Sequence, residues 1–225
     1  MSQPWPKRAW YQFCRGIVGI LLTPYLRCRW DGVGRVPSAG PVLLVANHQS
    51  NLDPMLVGVG CRRRLSYLAR KTLFVGPLGP LFASCGAIPV DQEGDALAGL
   101  KETLRRLKRG EGVLIFPEGS RTGDGRLGPL FGGFAKLARR VKAPILPIGI
   151  AGAYQSWPRS RWFPRPGRVA VHFGQPIPPE EVAELDDDGL TALVRDRVTA
   201  CMHQATALRQ GGNAHPRSGL RQPCD

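Results

Sequence analysis

Two side chains in the stretch 47–54, NHQSNLDP, have the chemistry of a proton-transfer pair: the imidazole of His48 and the carboxylate of Asp53. The stretch follows an apolar run, PVLLVA at 41–46, so the histidine stands where a strand ends. On one helix, five positions would turn the two side chains about 140° apart, and they would not share a face. The pair works together only if the intervening QSNL forms a return loop. Pro54 biases Asp53 away from helical backbone, which suits such a loop. A hydrogen bond between imidazole and carboxylate would orient the ring and leave its other nitrogen to accept a proton from a substrate hydroxyl near neutral pH. The competing reading is structural: Asp53 caps the helix that follows, with Pro54 at its first position, and His48 only finishes the strand.

A second polar turn, in VLIFPEGSRTGDG at 113–125, places Glu118, Gly119, Ser120 and Arg121 just beyond another apolar strand. In an open α/β sheet, ligands bind outside the carboxyl ends of the strands, so both turns are candidates to face one cleft. Arg121 offers a planar set of donors matched to phosphate, and Glu118 is placed to hold that arginine or the nearby loops. A solvated surface ion pair is the alternative. Gly119 either lets a backbone N–H approach a reacting oxygen or permits a tight turn.

The elements that must position these turns are short and apolar. Strands are expected at 42–46, 65–69, 86–90, 112–116, 145–149 and 169–173. Helices are expected at 54–60, 95–108, 132–141 and 189–208; in the second of these Leu97, Leu100, Leu104 and Leu107 recur at three- or four-residue spacing before Gly110. Alternation of the two predicts an α/β fold, mostly a central β-sheet flanked by helices, over residues 31–208. Residues 1–30 form an expected amphipathic membrane-interface segment, in which aromatic and basic residues surround the apolar run 17–22 and Pro24 shortens the helix. Its bland reading is a terminal helix that covers the main domain. Residues 209–225 have little apolar content and are expected to be a disordered tail.

The uncharged run 72–90 holds six Gly or Pro residues, so a lipid-exposed helix there would leave backbone groups unpaired. It reads as buried core with tight turns, or as an apolar acyl-binding surface. The net charge of +14 draws the chain toward phosphate, whether on nucleic acid, an anionic leaflet or a small molecule. With no zinc-finger spacing or other nucleic-acid module, nucleic acid is not the expected partner. The six cysteines include no C-x-x-C pair, which argues against a metal knuckle or redox pair and favours reduced core thiols and a cytosolic face.

The residues HQSNLD at 48–53 and FPEGSR at 116–121 resemble, in order and spacing, the H-x4-D and FPEG-[ST]-R motifs of the glycerolipid acyltransferase family, which includes bacterial 1-acyl-glycerol-3-phosphate acyltransferases. CGAIPVD at 85–91 resembles its second motif and APILPIGI at 143–150 its fourth, centred on Pro147; the likeness runs from roughly residue 30 to residue 178. The resemblance implies His48 as general base with Asp53 beside it, and substrate contacts from Glu118, Gly119, Ser120 and Arg121. It implies acyl transfer from acyl-CoA or acyl-carrier protein to a lysolipid acceptor, first of all 1-acylglycerol 3-phosphate. Direct attack is favoured over an acyl-enzyme because no G-x-S-x-G elbow or Cys–His pair occurs. No metal or resident cofactor is needed, and the expected place is the cytoplasmic side of the cell membrane, held peripherally or monotopically by anionic lipids. Two departures bear on the acceptor. Gln92 stands where members that bind a glycerol phosphate often have arginine, and Leu130-Phe131 replace a familiar lysine; Lys136 or Arg139 are the candidates to compensate.

Overall fold

A computed structural model describes residues 5–75, 86–90 and 96–211. Within them a seven-stranded sheet forms from β1 (Arg29–Asp31), β2 (Val42–Ala46), β3 (Leu65–Arg70), β4 (Ala87–Val90), β5 (Gly112–Ile115), β6 (Ile145–Ala151) and β7 (Ala170–Phe173). Its order is β1-β7-β6-β2-β5-β3-β4. The run from β6 to β4 is parallel, while β7 pairs antiparallel with β6 and parallel with β1. This is the α/β architecture expected from the alternating pattern, with one antiparallel turn of the chain near the edge.

The helices are α1 (Trp5–Tyr25), α2 (Asp53–Gly60), α3 (Ala96–Lys108), α4 (Gly133–Val141), α5 (Ala153–Ser156), α6 (Pro179–Glu184) and α7 (Asp187–Gln210). They divide between two faces because side chains alternate along each strand. Val42, Leu44 and Ala46 of β2 pack with Leu52, Leu56 and Val57 around α2, while Leu43 and Val45 pack with Phe134, Ala138, Leu190 and Val194 from α4 and α7. Burial on both faces explains why β2 reads as an unbroken apolar run. The ends of β2 and β5 are thereby fixed side by side, Val45 opposite Ile115, and each runs into one of the two polar turns.

Helix α1 extends over 21 residues, further than its proline suggested, because Pro24 sits in the final turn, where little helix follows it to disrupt. One face, with Tyr11 and Cys14, is buried, and Arg15 donates to the carbonyls of Val59 and Cys61 at the end of α2. An adjoining stripe, Trp10, Phe13, Ile17, Ile20 and Leu21, is exposed. Both sequence readings of this segment therefore have a structural counterpart: one side covers the domain and the other presents apolar surface. No helix among the described residues is long and apolar enough to cross a membrane. Residues 76–85 of the uncharged run, Asp91 at the end of the second motif, Gln92 after it and residues 212–225 lie outside the described residues.

Candidate active site

The turn after β2 folds back on itself. Nδ1 of His48 lies 2.8 Å from Oδ2 of Asp53, whose side chain is fully buried. The same oxygen accepts the backbone N–H of Gln49 at 2.6 Å and of Ser50 at 2.7 Å. Asp53 thus stands at the first residue of α2 but does not cap it. The preceding residue, Leu52, is in the cap position without a side-chain bond, and the carboxylate is turned away from the helix because the return loop offers it three donors. All three donors fall on Oδ2, and Oδ1 is buried with no hydrogen-bond partner among the described residues.

With Nδ1 donating to the carboxylate, Nε2 is the ring nitrogen left to accept a proton. The imidazole is 19% exposed and stacks on Phe116, ring centroids 4.1 Å apart and planes 19° apart. Its position is fixed from below by an aromatic face and from one edge by Asp53, and neither contact uses the Nε2 edge.

The second turn closes against the first through Glu118. Its Oε1 accepts the backbone N–H of His48 at 2.7 Å and its Oε2 the backbone N–H of Gly128 at 2.8 Å. The His48 carbonyl in turn accepts the N–H of Thr122 at 2.8 Å. Burial pushes the Glu118 carboxyl up from its usual range, and the two backbone donors, together with the His48 charge, pull it down. Of the two uses expected for Glu118, the structure displays the one on loops. Gly119 has φ +69° and donates its N–H to Phe116 O at 3.0 Å, so that N–H closes the turn and is already engaged. Ser120 is exposed and Arg121 half-buried on the same loop.

Residues outside the sequence-predicted set do much of the bracing. Asn47 bridges β2 to β6, donating to Ile150 O at 3.0 Å and accepting its N–H at 2.7 Å. Gln49 donates to Gly125 O and accepts from Tyr154 N–H, and Tyr154 Oη donates to Gly123 O at 2.6 Å. Ser50 Oγ donates to Trp157 O at 2.9 Å. Arg195 of α7 holds Gly128 O at 2.7 Å. The only sequence signal for these was polarity beside a buried strand end. The two cations suggested as compensators, Lys136 and Arg139, both turn to Asp187 at the start of α7, Lys136 at 3.7 Å and Arg139 through a direct hydrogen bond.

Comparison with known proteins decides the kinship of this site. The family model "Acyltransferase" matches residues 27–151, which contain both polar turns and strands β1 to β6. The chain belongs to the acyltransferase family. Among curated relatives of this acyltransferase, the 1-acyl-sn-glycerol-3-phosphate acyltransferase of Pseudomonas aeruginosa is 30% identical, over 80% of this chain and 75% of that one. The protein of the same name from Bacillus subtilis is 28% identical, over 78% of this chain and 86% of its own. The crystal structure of the 1-acyl-sn-glycerophosphate acyltransferase PlsC from Thermotoga maritima superposes with a TM-score of 0.78 at 23% identity, covering 92% of this chain and 84% of that chain, which shows a shared fold.

Three of the six thiols of this acyltransferase are poorly suited to nucleophilic work. Burial pushes Cys61 and Cys201 each up to about 12 and Cys28 up to about 11, so they stay protonated near neutral pH.

Proposed function

We propose that this enzyme moves a fatty acyl group from acyl-CoA or acyl-carrier protein to the free hydroxyl of 1-acylglycerol 3-phosphate, yielding phosphatidic acid. The single observation that supports the mechanism best is the 2.8 Å contact between His48 Nδ1 and Asp53 Oδ2. Nε2 of His48 takes the acceptor's hydroxyl proton as the oxygen attacks the thioester carbonyl carbon. The new C–O bond forms, the tetrahedral centre collapses, and the C–S bond breaks. The departing thiolate takes the proton back from the imidazolium and leaves as a thiol. Asp53 keeps the ring in one tautomer and balances the charge it carries in between. In this reading Arg121 and Ser120, on the loop beside His48, bind the acceptor phosphate, while Glu118 and Gly119 shape that loop. The exposed apolar stripe of α1 holds the enzyme at the cytoplasmic surface of an anionic membrane, where its acceptor resides.

A second acceptor class, another lysolipid or an acylated amino acid, is favoured by one observation. Leu130 and Phe131 occupy the place of a family lysine, Phe131 is 67% exposed, and the two cations suggested as compensators, Lys136 and Arg139, both contact Asp187. The experiment that separates the readings is incubation of the purified full chain with radiolabelled acyl-CoA or acyl-carrier protein and a panel of lysolipids. Phosphatidic acid as the main product supports the first choice. Preference for a neutral or zwitterionic acceptor selects the second, and no transfer to any acceptor from either donor contradicts both.

A further inference from the structure

A second apolar surface of unusual character lies between β6 and β7, in residues 157–168, WPRSRWFPRPGR. Trp162 is 85% exposed and Phe163 is 73% exposed at adjacent positions, and Arg159, Arg161, Arg165 and Arg168 around them are exposed as well. The sequence has no acidic residue between Asp124 and Glu180, so these arginines have no local countercharge on their own segment.

The loop is built, and its aromatic pair is held outward. Trp157 packs on the core and donates its indole N–H to Arg161 O at 2.9 Å, while Arg161 N–H returns to Pro158 O at 3.1 Å. Beyond the pair, Arg165 N–H donates to Ser156 O at 2.8 Å. Three prolines, Pro158, Pro164 and Pro166, restrict the backbone further. A tryptophan and a phenylalanine fixed in water on a braced loop lose the hydrophobic free energy that burial would supply. Rings with an arginine collar match the headgroup region of an anionic bilayer, where the rings enter the interface and the guanidinium groups meet phosphate.

The loop's attachments give the docking a consequence. Tyr25, at the end of α1, donates its hydroxyl to Pro164 O at 3.0 Å, so the loop is continuous with the helix whose apolar stripe is exposed. On the other side, Trp157 O accepts Ser50 Oγ, and Ser50 N–H is one of the donors on the Asp53 carboxylate. We propose that residues 157–168 form a second membrane-docking element, which inserts Trp162 and Phe163 into an anionic lipid surface beside α1 and ties that surface to the His48–Asp53 turn. The proposal deepens the lipid-acceptor reading and rests on it for the purpose of docking.

The test is co-sedimentation of the full chain with sucrose-loaded vesicles, either phosphatidylcholine alone or mixed with phosphatidylglycerol. The double variant Trp162→Ala with Phe163→Ala is expected to bind mixed vesicles about tenfold or more weakly. The triple variant Arg159→Gln, Arg161→Gln, Arg165→Gln is expected to lose about tenfold or more on mixed vesicles and little on phosphatidylcholine. Both should keep the parent's circular dichroism spectrum and its transfer rate with detergent-dispersed acceptor, while slowing on vesicle-borne acceptor. Unchanged vesicle affinity in the aromatic variant overturns the proposal, and so does a variant that forms a smaller oligomer than the parent in solution, which would make the loop a contact between copies. Vesicle binding that weakens as expected in a chain without transfer in either format would remove the function reading and leave the docking element standing.

Discussion

Oε1 of Glu118 accepts the backbone N–H of His48 at 2.7 Å, across 70 residues of sequence. The same carboxylate takes the N–H of Gly128, so it joins two loops at the point where the imidazole is set. Glu118→Ala leaves two part-buried N–H groups without their acceptor and is expected to cost about 1 kcal/mol for each, the lower end for a stranded donor. Glu118→Gln retains one acceptor and should cost less. Thermal or urea melts should rank the parent above Gln and Gln above Ala, with kcat falling in the same order as the loops loosen.

Asp53→Asn tests the orientation of the ring. An amide can accept from Gln49 and Ser50 through its oxygen, but it no longer balances an imidazolium or fixes Nδ1 as the donor. The expected result is a kcat lower by about 10²- to 10⁴-fold, the usual worth of a positioned acid–base group, with KM for the acceptor little changed. Steady-state kinetics on a folded variant decides it. A large rise in KM with kcat preserved would move Asp53 from chemistry to substrate binding.

Gly149 on β6 has α7 against its backbone. A Cβ added there would fall 2.1 Å from the carbonyl carbon of Cys201 and 2.2 Å from the amide nitrogen of Met202. Neither atom can move without shifting the helix, so Gly149→Ala is expected to destabilise by about 3 kcal/mol or more, at or above the upper end of ordinary overpacking. Denaturant unfolding measures this. A loss under 1 kcal/mol would mean that α7 yields easily.

How much of this was legible in the sequence follows from what each feature needs. Strands β2 and β6 are buried on both faces and announce themselves as apolar runs, Val42–Ala46 and Ile145–Ala151. Strand β1 is only Arg-Trp-Asp, and its pairing with β7 comes from residues 141 positions away, so no local pattern marks it. Helix α6 has one buried side chain, Val182, and leaves almost no periodicity to read. The start of α7 fell two residues early because Asp186, which accepts Gly189 N–H, is followed by two further aspartates that do not distinguish the cap. The contact between His48 and Asp53 was legible because it needs only residue type and a short loop. The Glu118 brace and the Phe116 stack depend on which two strand ends the sheet sets side by side, a fact of topology that spacing alone does not contain.

A second histidine–aspartate contact, between the edge strand β1 and its neighbour β7, has a different character. Nδ1 of His172 lies 2.8 Å from Asp31 Oδ2, and Arg35 sits 3.2 Å from its Nε2. Burial depresses the His172 pKa most, Asp31 opposes this, and the Arg35 charge adds to the depression. A histidine whose folded pKa lies below its unfolded one leaves the unfolded state holding more protons in between. Stability should therefore fall as pH drops below about 6.5, the unfolded histidine value, and continue to fall down to the lower folded pKa. His172→Gln should flatten the melting temperature between pH 7 and pH 5 relative to the parent. An equal slope in both proteins would assign the acid sensitivity elsewhere.

The central claim is that His48 takes the acceptor's proton. Single-turnover transfer from radiolabelled acyl-CoA or acyl-carrier protein to the preferred lysolipid, compared between the parent and a folded His48→Ala variant, tests it most directly. The account predicts a rate lower by about 10²-fold or more in the variant, with donor and acceptor still bound. A His48→Ala variant that transfers acyl groups at the parent's rate would contradict it.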